Sequence, residues 1–174
     1  MRDLLRRFPH TGRIDALLLR PARDTPVQSV QSALLIESAG LEGDRTAARA
    51  SSRTGGHKRQ LTLIQAEHLP LIAAWCGLPN LDAALLRRNV VVSGLNLLSA
   101  RSPLPGEAFD VHLGDEAVIE LTGPCDPCSK MEALLGPGGL NAMRGHGGVT
   151  ARVLRGGRVA VGDAVRVAVR ASST

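Results

Sequence analysis

Aromatic side chains are scarce in this sequence: Phe8, Trp75 and Phe109 are the only three, and tyrosine is absent. A single-strand nucleic-acid binder stacks successive bases on several rings, and that material is missing. Lysine is scarcer still, with Lys58 and Lys130 alone among 21 basic residues. The arginines are scattered, and no block of five or six like charges forms a basic tail. The net charge of +5 and the pI of about 10.0 therefore point to a small anionic ligand rather than to nucleic acid. No apolar run is long enough to cross a bilayer. The longest, Leu69 to Pro79, is short and carries two prolines. The first nine residues lack the apolar stretch of a signal peptide, and three cysteines, an odd number, argue against a disulfide framework. The expected compartment is the cytoplasm.

Several catalytic signatures are missing as well. There is no glycine-rich phosphate loop ending in Lys-Ser or Lys-Thr, no Gly-x-Ser-x-Gly elbow and no His-Glu-x-x-His zinc helix. With two lysines in the chain, little supports a pyridoxal phosphate enzyme, which needs a Schiff-base lysine. At 174 residues and 44% apolar composition, the chain is expected to be a single domain, residues 1–174, with a core that needs no staples.

Short strands separated by glycine turns are what is present. Ile14 to Arg20, Val27 to Ile36, Arg59 to Ile64, Val90 to Val92 and Val165 to Val169 read as strands. Two hairpins are expected: Phe109 to Leu113 with Ala117 to Leu121, and Val149 to Leu154 with Arg158 to Val161 across Gly156-Gly157. Gly40 to His57 has no apolar period and reads as a long loop, with Asp44 capping a backbone amide. Gln65 to Cys76 reads as a helix kinked at Pro70, Leu81 to Arg88 as a short helix begun at Asn80 or Asp82, and Ser129 to Leu135 as another. Seven or eight strands without visible βαβ alternation predict a mainly β fold, barrel-like, with a few short helices.

The densest chemical signal is Gly123-Pro124-Cys125-Asp126-Pro127-Cys128-Ser129-Lys130. A Cys-x-x-Cys pair can hold zinc, exchange disulfides or offer one soft ligand to a heavier metal. It can also be two inert thiols in a turn. Zinc would need a second Cys pair or a His cluster, and none is found. Cys128 is the preferred reactive thiol. It precedes a helix and has the cation Lys130 close by, whereas Cys125 has Asp126 beside it. Ser129 is a natural helix cap there. Three glycine-flanked basic clusters supply anion donors: His57-Lys58-Arg59, Arg87-Arg88-Asn89, and Arg144-Gly145-His146-Gly147-Gly148. Arg88, the His57–Arg59 cluster and His146 are expected to converge on one cleft beside the Cys125–Cys128 loop.

In order and spacing, a series of segments resembles the MOSC domain, named for the C-terminal domain of molybdenum cofactor sulfurase. They are Gly40-Leu41-Glu42-Gly43-Asp44-Arg45, Arg59 to Ile64 with Glu67, Leu86 to Gly94, and Pro105-Gly106. Gly123 to Cys128, Gly145 to Val153 and Gly156 to Asp163 complete the series, so the likeness runs from about residue 30 to 168. The resemblance implies a barrel similar to the β-barrel domain of pyruvate kinase, with the strand region 12–36 in the same domain. It also implies one functional cysteine that binds sulfur or the molybdenum of a pterin cofactor. The family's Pro-Cys motif lands on Pro127-Cys128, with Pro124-Cys125 as second choice. Arg88-Asn89 and Gly147-Gly148 land near the cofactor. Longer relatives reduce N-hydroxylated compounds with an electron-transfer partner. The expected function is thus a small molybdenum-cofactor oxidoreductase with a partner reductase, or alternatively a carrier of sulfur or cofactor.

Overall fold

The computed structural model describes residues 1–48 and 54–170. Eleven strands are found among them: β1 (Gly12–Leu19), β2 (Gln28–Val30), β3 (Ser32–Ile36), β4 (Gly40–Leu41), β5 (Leu61–Gln65), β6 (Val90–Ser93), β7 (Phe109–Leu113), β8 (Ala117–Pro124), β9 (Val149–Arg155), β10 (Gly157–Ala160) and β11 (Ala164–Val169). Four short helices join them: α1 (Arg2–Leu5), α2 (His68–Trp75), α3 (Ser129–Leu135) and α4 (Gly139–Met143). The hydrogen-bonded order β11-β7-β8-β9-β5-β6-β1 is closed by pairing of β11 with β1, which makes a seven-stranded barrel. β2 extends β1 outside the ring, and β10-β3-β4 form a second small sheet. The fold is mainly β, as expected.

The continuous Val90-Val91-Val92 run follows from β6 being covered on both faces. Val90 and Val92 point into the barrel core with Ile14, Leu63 and Ile119. Val91 points outward into a second core, where Ile72, Leu86, Met131, Leu135 and Met143 cover the wall. β1 does the same with Leu17 inside and Leu18 outside. α2, α3 and α4 thus blanket one flank of the barrel, where β5 and β6 run.

Several expectations need correction. β5 and β6 pair in parallel, Leu63 opposite Val90, so β5–α2–β6 is one βαβ unit. The sequence hides it because the crossover also contains a 3₁₀ turn at Ala83–Leu86. Pro70 does not kink α2. The helix begins at His68, which puts Pro70 in the first turn, where no amide is needed. The stretch Val27 to Ile36 divides into β2 and β3, in different sheets. The second expected hairpin is also absent: β10 pairs with β3, not with β9. Both edges of β9 are already filled, by β8 on one side and β5 on the other. Beyond the β5 pairing, the Val153 amide donates to Gln60 Oε1 at 2.8 Å and its carbonyl accepts from the Ser38 amide at 3.2 Å. The β7–β8 hairpin forms as expected, Leu113 opposite Ala117. Asp82 starts the 3₁₀ turn by accepting the Ala84 amide at 2.9 Å. Part of the expected Gly40–His57 loop, residues 49–53, lies outside the described residues.

Candidate functional site

An open cleft of about 500 Å³ lies at the rim where β1, β5, the 3₁₀ turn and the Cys125–Cys128 loop meet. Among the described residues, six arginine or lysine side chains line it, Arg20, Arg45, Arg59, Arg87, Arg88 and Lys130, together with His57. Two carboxylates among them do so, Asp44 and Asp126. Asp44 is buried and fully engaged. Its Oδ1 accepts the Thr46 amide at 2.8 Å, and its Oδ2 accepts the Arg20 amide at 3.0 Å and Asn89 Nδ2 at 3.1 Å. The cleft therefore presents an excess of positive charge, concentrated where walls exclude water.

Arg88 is the structural centre of this wall. It is buried, yet among the described residues no carboxylate neutralises it. Its guanidinium instead donates to three carbonyls: Gly147 at 2.6 Å, Leu86 at 2.7 Å and Cys125 at 3.3 Å. Burial lowers its affinity for the proton below the ordinary arginine range, while proximity to Cys125 opposes that shift. Residue 87 precedes it in the left-handed region, at φ 59°, which turns the chain so that Arg87 also lines the cleft. Asn89 is buried and spent on internal bonds. Its Oδ1 accepts from the Thr62 amide and hydroxyl at 3.1 and 2.9 Å, and its Nδ2 donates to the Leu18 carbonyl at 3.3 Å as well as to Asp44.

The two loop cysteines differ sharply. Cys128 is exposed, lines the cleft and caps α3 with its backbone, its carbonyl accepting the Met131 amide at 2.8 Å. Cys125 is buried, and its sulfur accepts Nη2 of Arg59 at 3.2 Å. All three cysteines are free, and residues 125–128 form neither a turn nor a helix. Cys76 is half-buried against the helix core. Ser129 is the first residue of α3 rather than its cap, because the backbone of Cys128 already occupies that position.

Six of the residues singled out in the sequence come together on the cleft besides Cys128: His57, Arg59, Arg87, Arg88, Asn89 and Lys130. Lys58, Cys125, Arg144, His146, Gly147 and Gly148 do not line it. His146 packs instead against His68 and Trp75, ring centroids 4.7 and 4.9 Å away. Burial and the neighbouring His146 lower the proton affinity of His68, whose Nδ1 has no partner among the described residues. Arg144 is exposed at the end of α4, its backbone capping the helix. Gly147 and Gly148 serve close backbone approach. A Cβ on Gly147 would lie 2.5 Å from the Cys125 carbonyl, and one on Gly148, at φ 91°, would strike the Leu63 carbonyl. Sequence reasoning missed Arg20, Arg45 and Asp126 as cleft residues. Arg45 sits within the quoted segments and could have been read there. Arg20, at the end of β1, carries no local signal. Its Nε is buried at the cleft without a protein partner among the described residues.

The MOSC domain model matches residues 50–166. The YuaD protein of Bacillus subtilis superposes with a TM-score of 0.74 at 20% identity, over 91% of this chain and 96% of that one. YiiM of Escherichia coli gives 0.65 at 20% identity over 95% and 73%, and YiiM of Geobacillus stearothermophilus gives 0.61 at 17% over 92% and 75%. At such identities the likeness is one of fold. No curated protein matches the sequence significantly. With two thirds of its length matched by the family model and the barrel to go with it, the chain belongs to the MOSC domain family.

Proposed function

We propose that this protein binds a molybdenum pterin cofactor in the cationic cleft, with Cys128 as the thiol ligand, and acts as a small oxidoreductase on N-hydroxylated compounds. The observation that carries the reading is an exposed sulfur on the wall of a cleft with six cationic side chains and one uncommitted carboxylate. The donor set fits such a group. A thiol is a soft ligand suited to molybdenum, and a pterin phosphate needs converging guanidinium and ammonium donors. The buried Nε of Arg20, without a protein partner among the described residues, is a donor of the kind a bound oxyanion satisfies.

Each side chain then has a task. Arg59, Arg87 and Lys130 attract and hold the anionic end. Arg88 builds the wall by joining Leu86, Cys125 and Gly147, while Asn89 and Asp44 pin β1 to the start of β6. Cys128 offers sulfur at the open side, where a substrate can approach. The bound cofactor would supply the two-electron couple that converts an N-hydroxyl group to N–H with release of water. Electrons would come from a partner reductase.

The test is metal and pterin analysis of protein from a cofactor-producing host, followed by an assay of N-hydroxylated base reduction with a reductase system. Molybdenum retained by the wild type and by Cys125→Ser but lost from Cys128→Ser is the expected result. Metal lost from Cys125→Ser and kept by Cys128→Ser would reverse the ligand assignment. Retained metal without turnover would favour a carrier of cofactor or sulfur, for which the exposed Cys128 is equally suited.

A further inference from the structure

Cys125 has no task in the metal chemistry just proposed, yet every polar atom it owns is engaged. Its amide donates to the Gly148 carbonyl at 2.8 Å. Its carbonyl accepts Nη2 of Arg88 at 3.3 Å, and its sulfur accepts Nη2 of Arg59 at 3.2 Å. The side chain is 1% exposed, so the sulfur faces the protein and not the cleft. Arg59 is the opposite case, an exposed residue shortly before β5 that lines the cleft. A free arginine there would sample many rotamers, and fixing one costs conformational entropy. A buried acceptor on one of its terminal nitrogens selects one orientation before any ligand arrives.

We propose that Cys125 is a positioning residue. Its sulfur orients the Arg59 guanidinium so that the remaining donors face an oxyanion bound in the cleft, and it is neither a metal ligand nor a redox partner of Cys128. The arrangement extends beyond one contact. Arg88 holds the carbonyl of the same residue, so the Cys125 backbone and side chain together engage both arginines. Sulfur accepts hydrogen bonds weakly but over a long reach, which suits a guanidinium at 3.2 Å in a space that also excludes water. The inference rests on the anion-binding part of the proposed function and does not require molybdenum.

Titration calorimetry with inorganic phosphate on the full chain tests it, using wild type, Cys125→Val, Cys125→Ser, Arg59→Ala and the Cys125→Val/Arg59→Ala double variant. Valine keeps the volume and removes the acceptor, whereas serine keeps an acceptor. Arg59→Ala and Cys125→Val should each weaken phosphate about tenfold. The double variant should be no weaker than Arg59→Ala alone, and Cys125→Ser should stay within about threefold of wild type. Additive losses, a serine variant no better than valine, or undiminished binding by Cys125→Val would overturn the proposal. So would a wild type that does not bind phosphate. Melting temperatures recorded in parallel identify any variant that fails to fold, and the Cys125→Ser comparison then decides. Molybdenum content is measured on the same wild-type preparation. Its absence would defeat the cofactor reading while the phosphate cycle still judges Cys125.

Discussion

Arg88 Nε lies 2.6 Å from the Gly147 carbonyl oxygen, joining two segments 59 residues apart through a charged side chain that no acid neutralises among the described residues. The same guanidinium holds Leu86 and Cys125, so one side chain fixes three backbone segments of the rim. Replacing it with methionine preserves much of the packing but strands three buried acceptors. The expected loss of stability is roughly 2–4 kcal/mol, read from urea unfolding. A loss below about 1 kcal/mol would mean that the carbonyls find other donors.

Arg87 offers a test with opposite signs. Its left-handed backbone, φ 59° and ψ 37°, is strained for any residue with a Cβ. Arg87→Gly should raise stability by about 1 kcal/mol and at the same time weaken phosphate binding, because a cation leaves the cleft. Thermal unfolding and calorimetry on one preparation give both readings. A variant that is both less stable and binds phosphate as well as wild type would contradict the assignment.

Thiol exposure predicts an order of alkylation. Iodoacetamide should label Cys128 first, half-buried Cys76 more slowly, and buried Cys125 only on unfolding. Peptide mass spectrometry over a time course reads this directly. Early labelling of Cys125 would show that its sulfur is not enclosed.

Glu132 links stability to acid. The amides of Leu140 and Gly138, each donating at 2.8 Å, hold its carboxylate below the ordinary glutamate range. A group depressed on folding contributes stability that is present above its unfolded value, about 4.3, and lost as pH falls through the folded value. Glu132→Gln should therefore weaken the α3–α4 corner at neutral pH and flatten the stability curve below about pH 4.3. Chemical unfolding across that range is the measurement. An unchanged acid slope would remove Glu132 from the explanation.

Strand positions were legible where side-chain alternation and turn chemistry agree, as in β7–β8, with Gly114 at the turn. Asp82 was equally readable, since a short acid before an apolar segment caps the amides that follow. Pairing was less so. Nothing local in Arg158 to Val161 says that β9 has no free edge, because that depends on Gln60, 93 residues before Val153, and on the still more distant Ser38. At the site, Arg59, Arg88 and Cys128 were found because glycine, charge and thiol chemistry stand together in the chain. His146 satisfied the same criteria and faces elsewhere, since direction is set by the packing of Trp75 and His68. The division of labour between Cys125 and Cys128 was invisible in part. The sequence shows two thiols three residues apart, and only the packing turns one inward to an arginine.

The barrel closes through a narrow seam. β1 and β11 share only the pairs Gly12 with Val165 and Arg13 with Ala164, reinforced by the Ile14 amide on the Asp163 carbonyl at 2.9 Å and the Gly162 amide on the Ile14 carbonyl at 2.8 Å. During synthesis on the ribosome, β1 emerges long before its partner and must wait with an open edge until β11 follows. Loop closure over so long a separation is slow, and an exposed edge in the interval invites association with other chains. Growth temperature and chaperone supply should thus govern the yield of this protein more than its final stability does, with the seam as the last part of the ring to form.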